Sequence, residues 1–389
     1  MSTEQPARQR ILVVVHSLKM GGMERVAVDL ADALARAGHD SHLMTCRTRP
    51  RVLAPREPAV QIHVHDKIRR LWASGLGGLF FLLSRLLLGV LIPKSHFMWV
   101  GWWSGLVLRA HVRALEKEFG RFDQIIFRGV GTFKTFWGWR DPRLRYVLEN
   151  IVQDRQAAWF HRVEARLLYH RRHLVAVSTG VAESAQSFFD KYKAQPASLR
   201  VITNYCAAEE IYQQSLVAEP DLPSRPYILN VARLVPQKGQ ERLLRAYAQA
   251  QPAEDLVIVG DGPLRQKLHA LARDLGVAER VIFAGQRQNP YPWMRQARLF
   301  VLSSIYEGLG VVLTEALACG TPLLAVDCPG GVRDVFHGPL RAWLVADSEQ
   351  ALAQGLRERL QQPREAVDPA WLEPFSEGAV VKEYLNGPA

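Results

Sequence analysis

The sequence predicts an α/β protein built from two doubly wound domains that face each other across a cleft. Short apolar runs bounded by turn residues alternate with amphipathic helical stretches, the pattern of a parallel sheet covered by helices on both faces. The alternation also stops and restarts. Residues 219–226 hold three prolines and read as a linker, and the chain beyond them repeats the strand–helix rhythm of the chain before. The length, 389 residues, suits two or three domains at about 150 residues each.

The first domain opens on Ile11-Leu12-Val13-Val14-Val15, an apolar run that ends at His16. Five residues are too few for the core of a signal peptide and fit a strand buried on both faces. A loop over 17–22 containing Gly21 and Gly22 leads into a helix over 23–37. Its Val26, Leu30, Ala33 and Leu34 recur at helical spacing, and Gly38 stops it. Further strands are expected at 124–127, 146–148, 174–178 and 199–202. In the second domain strands are expected at 227–231, 256–259, 281–284, 299–302 and 322–326, with helices over 240–249, 264–275 and 312–318. Val380, Val381, Tyr384 and Leu385 mark a final helix over 375–385. The expected boundaries are 1–215 for the first domain, 216–226 for the linker, 227–372 for the second domain and 373–389 for the terminal helix.

A chain with 48% hydrophobic and 22% charged residues is neither wholly disordered, collagenous nor a polytopic membrane protein. Its four cysteines, Cys46, Cys206, Cys319 and Cys328, include no CxxC pair, which argues against a disulfide framework and a structural zinc site. The net charge of +11 is uneven: residues 1–200 hold 31 basic and 16 acidic side chains, and the remainder 18 and 22. The first half therefore suits an anionic surface, with nucleic acid and the cytoplasmic leaflet as the two candidates.

Residues 76–92 form an apolar stretch interrupted only by Ser84 and Arg85. Lys67, Arg69, Arg70 and Lys94 flank it, and Trp72, Trp99, Trp102 and Trp103 lie close by. A spanning helix needs about 20 apolar residues, and an arginine at mid-bilayer costs at least about 2.5 kcal/mol. Two readings remain: a buried helix pair, or an interfacial patch with tryptophans at headgroup depth and basic residues on lipid phosphates. The charge of the first half favours the patch.

The most informative segment is 303–316, Ser-Ser-Ile-Tyr-Glu-Gly-Leu-Gly-Val-Val-Leu-Thr-Glu-Ala, which follows one strand and opens one helix. Backbone amides of Gly308, Leu309, Gly310 and Val311 at that helix start suit an anion. Glu307 and Glu315 suit sugar or ribose hydroxyls. A glutamate near a helix start also serves as an ordinary cap. Arg233 and Lys238 follow the 227–231 strand, and two cations at a strand end suit a diphosphate. Gly260-Asp261-Gly262-Pro263 ends the next strand. Gly21 and Gly22 hold the matching place in the first domain, where backbone approaches a phosphate closely.

In order and spacing these pieces resemble the family 4 glycosyltransferases of the GT-B fold, two Rossmann-like domains. The resemblance is carried by Gly21-Gly22-Met23-Glu24, Ala176-Val177-Ser178-Thr179-Gly180-Val181, Ala232-Arg233-Leu234 with Lys238-Gly239, and Gly260-Asp261-Gly262-Pro263. Glu307 with Glu315, and the run 315–322, complete it. It is strong in the second domain and weak over 47–148. It implies a retaining transfer of a sugar from a nucleotide donor, in which Glu307 contacts the donor sugar and Glu315 the ribose. Arg233 and Lys238 hold the diphosphate and stabilise the leaving group, and the Gly22 backbone approaches the phosphates. The terminal helix is expected to cross back to the first domain.

There is no Asp-x-Asp in the chain, so no metal and no other cofactor is expected, and the two cations take the metal's role. The sequence departs from the family at Phe127-Arg128-Gly129, where many relatives carry histidines, and at Gly330-Gly331. Arg128, Glu149 and Asn150 are the acceptor-side candidates. The expected enzyme is cytoplasmic, peripheral on the inner face of the cytoplasmic membrane. It uses a UDP-sugar in preference to GDP-mannose, and builds lipopolysaccharide core or a lipid-linked oligosaccharide. The rival readings are a GT-B-fold epimerase or phosphorylase, a nucleic-acid-binding protein and a non-catalytic scaffold.

Overall fold

The structure, a computed structural model, describes residues 8–19, 21–47, 53–84, 86, 96–154 and 158–386. It divides into two compact units, one of Met1–Val177, Val181–Tyr205 and Val380–Ala389, the other of Ser178–Gly180 and Cys206–Ala379. Each unit has its own parallel sheet.

The first sheet contains β1 (Arg10–Val15), β2 (Asp40–Thr45), β3 (Gln61–Val64), β4 (Gln124–Arg128), β5 (Leu144–Leu148), β6 (His173–Ala176) and β7 (Ser198–Val201). Their order is β3-β2-β1-β4-β5-β6-β7. The second contains β8 (Tyr227–Val231), β9 (Asp255–Val259), β10 (Val281–Gly285), β11 (Leu299–Leu302), β12 (Leu323–Val326) and β13 (Leu344–Val345), in the order β10-β9-β8-β11-β12-β13. Ile11–Val15 and Leu323–Val326 are fully excluded from solvent residue by residue, as expected of strands covered on both faces. In each sheet the order reverses beside the first strand, at β1/β4 and at β8/β11. A crevice opens at the carboxyl ends of the strands at such a point.

Every strand expected from the apolar runs is present to within about two residues at its ends. Two strands of the first sheet were not legible. β2 and β3 carry polar side chains where a buried strand carries valine or isoleucine. Several of those groups find internal partners: Ser41 Oγ donates to the Ala31 carbonyl at 2.7 Å, and His42 Nδ1 lies 2.8 Å from His63 Nε2.

Helix Ala208–Ser215 belongs to the second unit, not to the first domain as a boundary at 215 implies. Ile211 and Ser215 are buried, the Tyr212 ring lies under the Arg295 guanidinium at 5.1 Å, and Asn289 donates to the Gln214 carbonyl. In the closing helix, Glu377–Leu385, Val380, Val381 and Tyr384 are buried, and Gln124 of β4 donates to the Tyr384 carbonyl at 2.9 Å.

The end of the apolar stretch, residue 85 and residues 87–92, lies outside the described residues. The described part is not a buried helix pair. In helix Leu76–Leu83 the buried residues are Gly77 and Gly78, while Leu76, Leu79, Leu82 and Leu83 are exposed, as are Ile68, Trp72 and Trp102 on the neighbouring helices. A side chain at Gly77 would overlap Trp103, and one at Gly78 would overlap Trp72, so this helix packs through its glycines and presents its leucines outward. No helix among the described residues is long and apolar enough to cross a membrane.

Buried histidines tie β2 and β3 to these helices. His65 is fully excluded from solvent, its Nδ1 3.0 Å from His111 Nδ1, and Arg70 Nη2 lies 3.0 Å from His111 Nε2. Burial, then His111, Arg70 and Lys67, pushes His65 down to about 3. Burial, then Arg70 and His63, pushes His111 down to about 4. Burial also brings His42 down to about 4 despite Asp40. The folded protein holds these rings neutral where the unfolded chain, with histidines near 6.5, takes up protons. Stability is therefore full above about pH 6.5 and falls as the pH drops towards 4. The melting temperature should decline steadily over that interval, and the H65Q/H111Q double variant should show a shallower decline. Equal slopes would mean that this pair does not carry the effect.

Candidate active site

The residues singled out in the second half of the chain converge at the β8/β11 switch point. Four loops leave the carboxyl ends of the strands there: 232–239 after β8, 260–263 after β9, 303–310 after β11 and 327–331 after β12. They are fastened to one another by backbone. Ala232 N–H donates to the Val259 carbonyl at 3.0 Å, Leu234 N–H to Asp261 at 3.0 Å, Ile305 N–H to Gln237 at 2.8 Å and Glu307 N–H to Pro329 at 3.0 Å. Two of these approaches require glycine. Gly260 has φ +142° and lies against the Ala232 carbonyl. Gly330 has φ +116°, and a Cβ there would overlap the Glu307 carbonyl oxygen.

This frame aims a small set of polar groups. Lys238, at the end of the 3₁₀ turn Pro236–Lys238, donates to Glu307 Oε1 at 2.6 Å. Ser304 Oγ donates to the same oxygen, also at 2.6 Å. Glu307 is 5% exposed, and its Oε2 has no hydrogen-bond partner among the described residues. Gly310, at φ +83°, caps helix Val311–Ala318. The amides of residues 308–311 donate to no backbone carbonyl among the described residues, so they and the helix dipole offer positive potential at the loop. Within that helix Glu315 Oε1 accepts from Tyr291 OH at 3.2 Å. Arg233 stands exposed on the β8 loop and pairs with no carboxylate among the described residues; its carbonyl accepts from Gln240. Gly262 lies on the adjoining loop, against Leu234.

The structure thus brings Lys238 and Glu307 into contact and sets Gly308, Leu309, Gly310, Val311 and Glu315 on the same loop and helix. Arg233, Gly260 and Gly262 sit on the loops beside them. Gly21 and Gly22 belong to the first unit, at the start of helix Gly22–Arg36 after β1. Gly21 is extended at φ −171°, with Glu24 as its near neighbour, and nothing lies within 4 Å of a side chain at Gly22.

The acceptor-side candidates need correcting. Arg128 is 1% exposed. Its guanidinium meets Glu149 through Nε at 2.6 Å and Nη2 at 2.9 Å, and Nη2 also donates to Asn204 Oδ1 at 2.7 Å. Tyr384 OH accepts from Nη1 at 3.5 Å. Burial opposes the charge, but Glu149 and Tyr384 outweigh it and hold Arg128 above the ordinary arginine range. Arg128 and Glu149 therefore form a buried staple, and the Arg128 guanidinium is not open to an acceptor phosphate or carboxylate. Asn150 Oδ1 accepts from the Ile151 amide and lines the same strand end. Sequence reasoning missed Ser304 and Gly330. The first is one of two serines directly after a buried strand and three residues before Glu307, and the second belongs to the Gly330-Gly331 pair that departs from the family pattern.

Among the described residues no group of three or more His, Cys, Asp or Glu is arranged to hold a metal ion.

The model for Glycosyltransferase Family 4 matches residues 20–206, and that for Glycosyl transferases group 1 matches residues 215–370. This chain belongs to the family 4 glycosyltransferases. Its two doubly wound, Rossmann-like units are those of the GT-B fold. The N-acetylgalactosamine-N,N'-diacetylbacillosaminyl-diphospho-undecaprenol 4-alpha-N-acetylgalactosaminyltransferase of Campylobacter jejuni is 31% identical over 199 residues, which are 51% of this chain and 53% of that protein. The lipopolysaccharide core biosynthesis glycosyltransferase LpsE of Rhizobium meliloti is 32% identical over 206 residues, 51% of this chain and 56% of that protein. The chain thus spans about half the length of these curated relatives. Anabaena HepE, solved in complex with UDP and glucose, superposes with a TM-score of 0.64 at 20% identity, covering 97% of this chain and 98% of that one.

The clamp on Glu307 can be tested against a matched glycine. Gly320 also has a positive φ, +72°, but nothing lies within 4 Å of a side chain there. In urea denaturation G320A should lose about 1–2 kcal/mol, the cost of a left-handed alanine. G330A adds an overlap with backbone and should lose roughly 3 kcal/mol or more. Equal losses would show that the 327–331 loop does not press on Glu307.

Proposed function

We propose that the chain is a retaining glycosyltransferase. It moves a sugar from a nucleotide diphosphate donor, a UDP-sugar, to a cell-surface glycan acceptor such as lipopolysaccharide core or a lipid-linked oligosaccharide. The observation that carries this reading is the meeting of Lys238 and Glu307 at the β8/β11 switch point, beside the amides of residues 308–311. The named activities of the Campylobacter and Rhizobium relatives, and the UDP and glucose of the Anabaena structure, support it.

In this mechanism the bond from the sugar's anomeric carbon to the diphosphate oxygen breaks as the acceptor hydroxyl attacks that carbon. The hydroxyl proton passes to the departing phosphate oxygen, so no strong base is needed on the acceptor side and the configuration is retained. The leaving diphosphate gains negative charge. Arg233, Lys238 and the loop amides stabilise that charge more in the transition state than in the ground state, in the place a metal ion takes elsewhere. Lys238 leaves Glu307 for the diphosphate, and the carboxylate then accepts hydrogen bonds from the sugar hydroxyls. Glu315 accepts from the ribose.

The acceptor side works at the inner face of the cytoplasmic membrane. Exposed Ile68, Trp72, Leu76, Leu79 and Leu82 adjoin Arg69 and Arg70 on the basic first unit, a combination that suits an anionic lipid surface.

Calorimetry with UDP, GDP, ADP and CMP, with and without magnesium, tests the donor site. Metal-free binding of UDP is expected, and R233A/K238A should weaken it at least about 10-fold while leaving uridine binding unchanged. Binding of none of the four by the folded protein would overturn the reading. E307A should lower turnover about 100-fold or more with the melting temperature kept. For the membrane surface, the I68S/W72S/L79S variant should lose sedimentation with phosphatidylglycerol vesicles; unchanged sedimentation would remove that part of the proposal.

A further inference from the structure

We infer that Ser304 is a positioning residue that holds the Glu307 carboxylate in place when Lys238 turns to the diphosphate. The inference deepens the donor-site reading above and rests on it. Ser304 is 2% exposed and stands two residues beyond the end of β11. Its backbone is fixed from two sides: the Arg242 guanidinium donates to the Ser304 carbonyl at 3.3 Å, and the next amide, Ile305 N–H, donates to the Gln237 carbonyl. Arg242 is itself ion-paired with Asp347. The hydroxyl of so constrained a serine has few directions available, and it is bonded to Glu307 Oε1 at 2.6 Å, the length of a charge-assisted hydrogen bond.

That oxygen is shared. Lys238 Nζ also donates to Oε1 at 2.6 Å, and Oε2 has no hydrogen-bond partner among the described residues. A diphosphate competes with the carboxylate for the ammonium, because it offers more charge and more acceptor oxygens. Once Lys238 moves, the Ser304 hydroxyl is the remaining side-chain bond on Glu307. The backbone of Glu307 is clamped by Pro329 and Gly330, but a glutamate side chain keeps several rotatable bonds. The serine removes that freedom and leaves Oε2 as the oxygen presented to a sugar hydroxyl. Its contribution is to geometry at the reacting centre, where a displacement of about 1 Å costs on the order of 100-fold in rate.

The test compares S304A, S304T and E307A in the full chain. UDP and GDP affinities are measured by calorimetry. Turnover is measured as release of UDP or GDP from a panel of their sugar derivatives, with a bacterial glycolipid extract as acceptor. For S304A, kcat should fall about 10- to 100-fold, with KM for the sugar nucleotide and Kd for the nucleotide within about twofold of wild type. S304T, which restores the hydroxyl, should recover most of kcat. A crystal structure of the UDP complex should show Lys238 on the diphosphate and the carboxylate still on Ser304 Oγ. Wild-type kcat in S304A beside an inactive E307A would overturn the positioning role and leave the donor-site reading standing. Parallel loss of nucleotide affinity and kcat in S304A, or no recovery in S304T, would overturn it in favour of a merely structural serine. Wild-type turnover in E307A, or binding of neither nucleotide, would overturn the reading itself.

Discussion

Two parallel strands can be joined only by a crossover that carries the chain back over a face of the sheet. Most loops at the carboxyl ends of these sheets are therefore strand-to-helix turns. Where the strand order reverses, the loops on either side run apart and leave a crevice between them. The polar groups of the second unit follow from that geometry. Arg233 and Lys238 leave the end of β8, Glu307 and the amides of residues 308–311 leave the end of β11, and the reversal lies between those two strands. Burial keeps charged groups out of the strand interiors of this second sheet, so the functional residues gather at their ends.

The same constraint has a different outcome in the first unit. Arg128 closes β4, also at a point of reversal, yet it faces inward and is taken up by Glu149, Asn204 and the terminal Tyr384. A buried charge that loses its partner is strongly destabilising, which makes this staple a fixed part of the unit. The histidine pairs His42–His63 and His65–His111 act alike: a ring nitrogen of one faces a ring nitrogen of the other, a contact that needs a neutral ring to accept. Polar chemistry inside the first unit holds its elements together. Polar chemistry at the loops of the second unit is left open on one side of Glu307.

These differences decide what the sequence could disclose. Apolar runs such as Leu299–Leu302 and Leu323–Val326 announce themselves, because an uninterrupted apolar composition is what most strands covered on both faces carry. The site residues on the loops were legible through spacing: Glu307 and Glu315 flank a glycine-containing helix start, and Arg233 and Lys238 follow a strand. β2 and β3 were not legible, because Ser41, His42 and His63 meet partners 10 and 21 residues away in the chain. The inward turn of Arg128 was hidden for the same reason, since Asn204 and Tyr384 lie 76 and 256 residues away. Ser304 was overlooked for the opposite reason. A serine after a strand is ordinary, and only the direction of its hydroxyl distinguishes it.

Glu307 shows why a site of this kind needs both rigid and exchangeable contacts. Its backbone is held by the Pro329 carbonyl and by the absence of a side chain at Gly330, contacts that no ligand displaces. Its carboxylate is held by an ammonium, which an incoming anion can take, and by a hydroxyl, which a polyanion has no charge-based reason to take. An ion pair alone would leave the carboxylate loose once the cation moved. A hydroxyl alone would leave a nearly buried carboxylate without a countercharge. Sharing Oε1 between the two resolves both problems: the lysine compensates the charge in one state, the serine keeps the direction in the other, and Oε2 stays open in both.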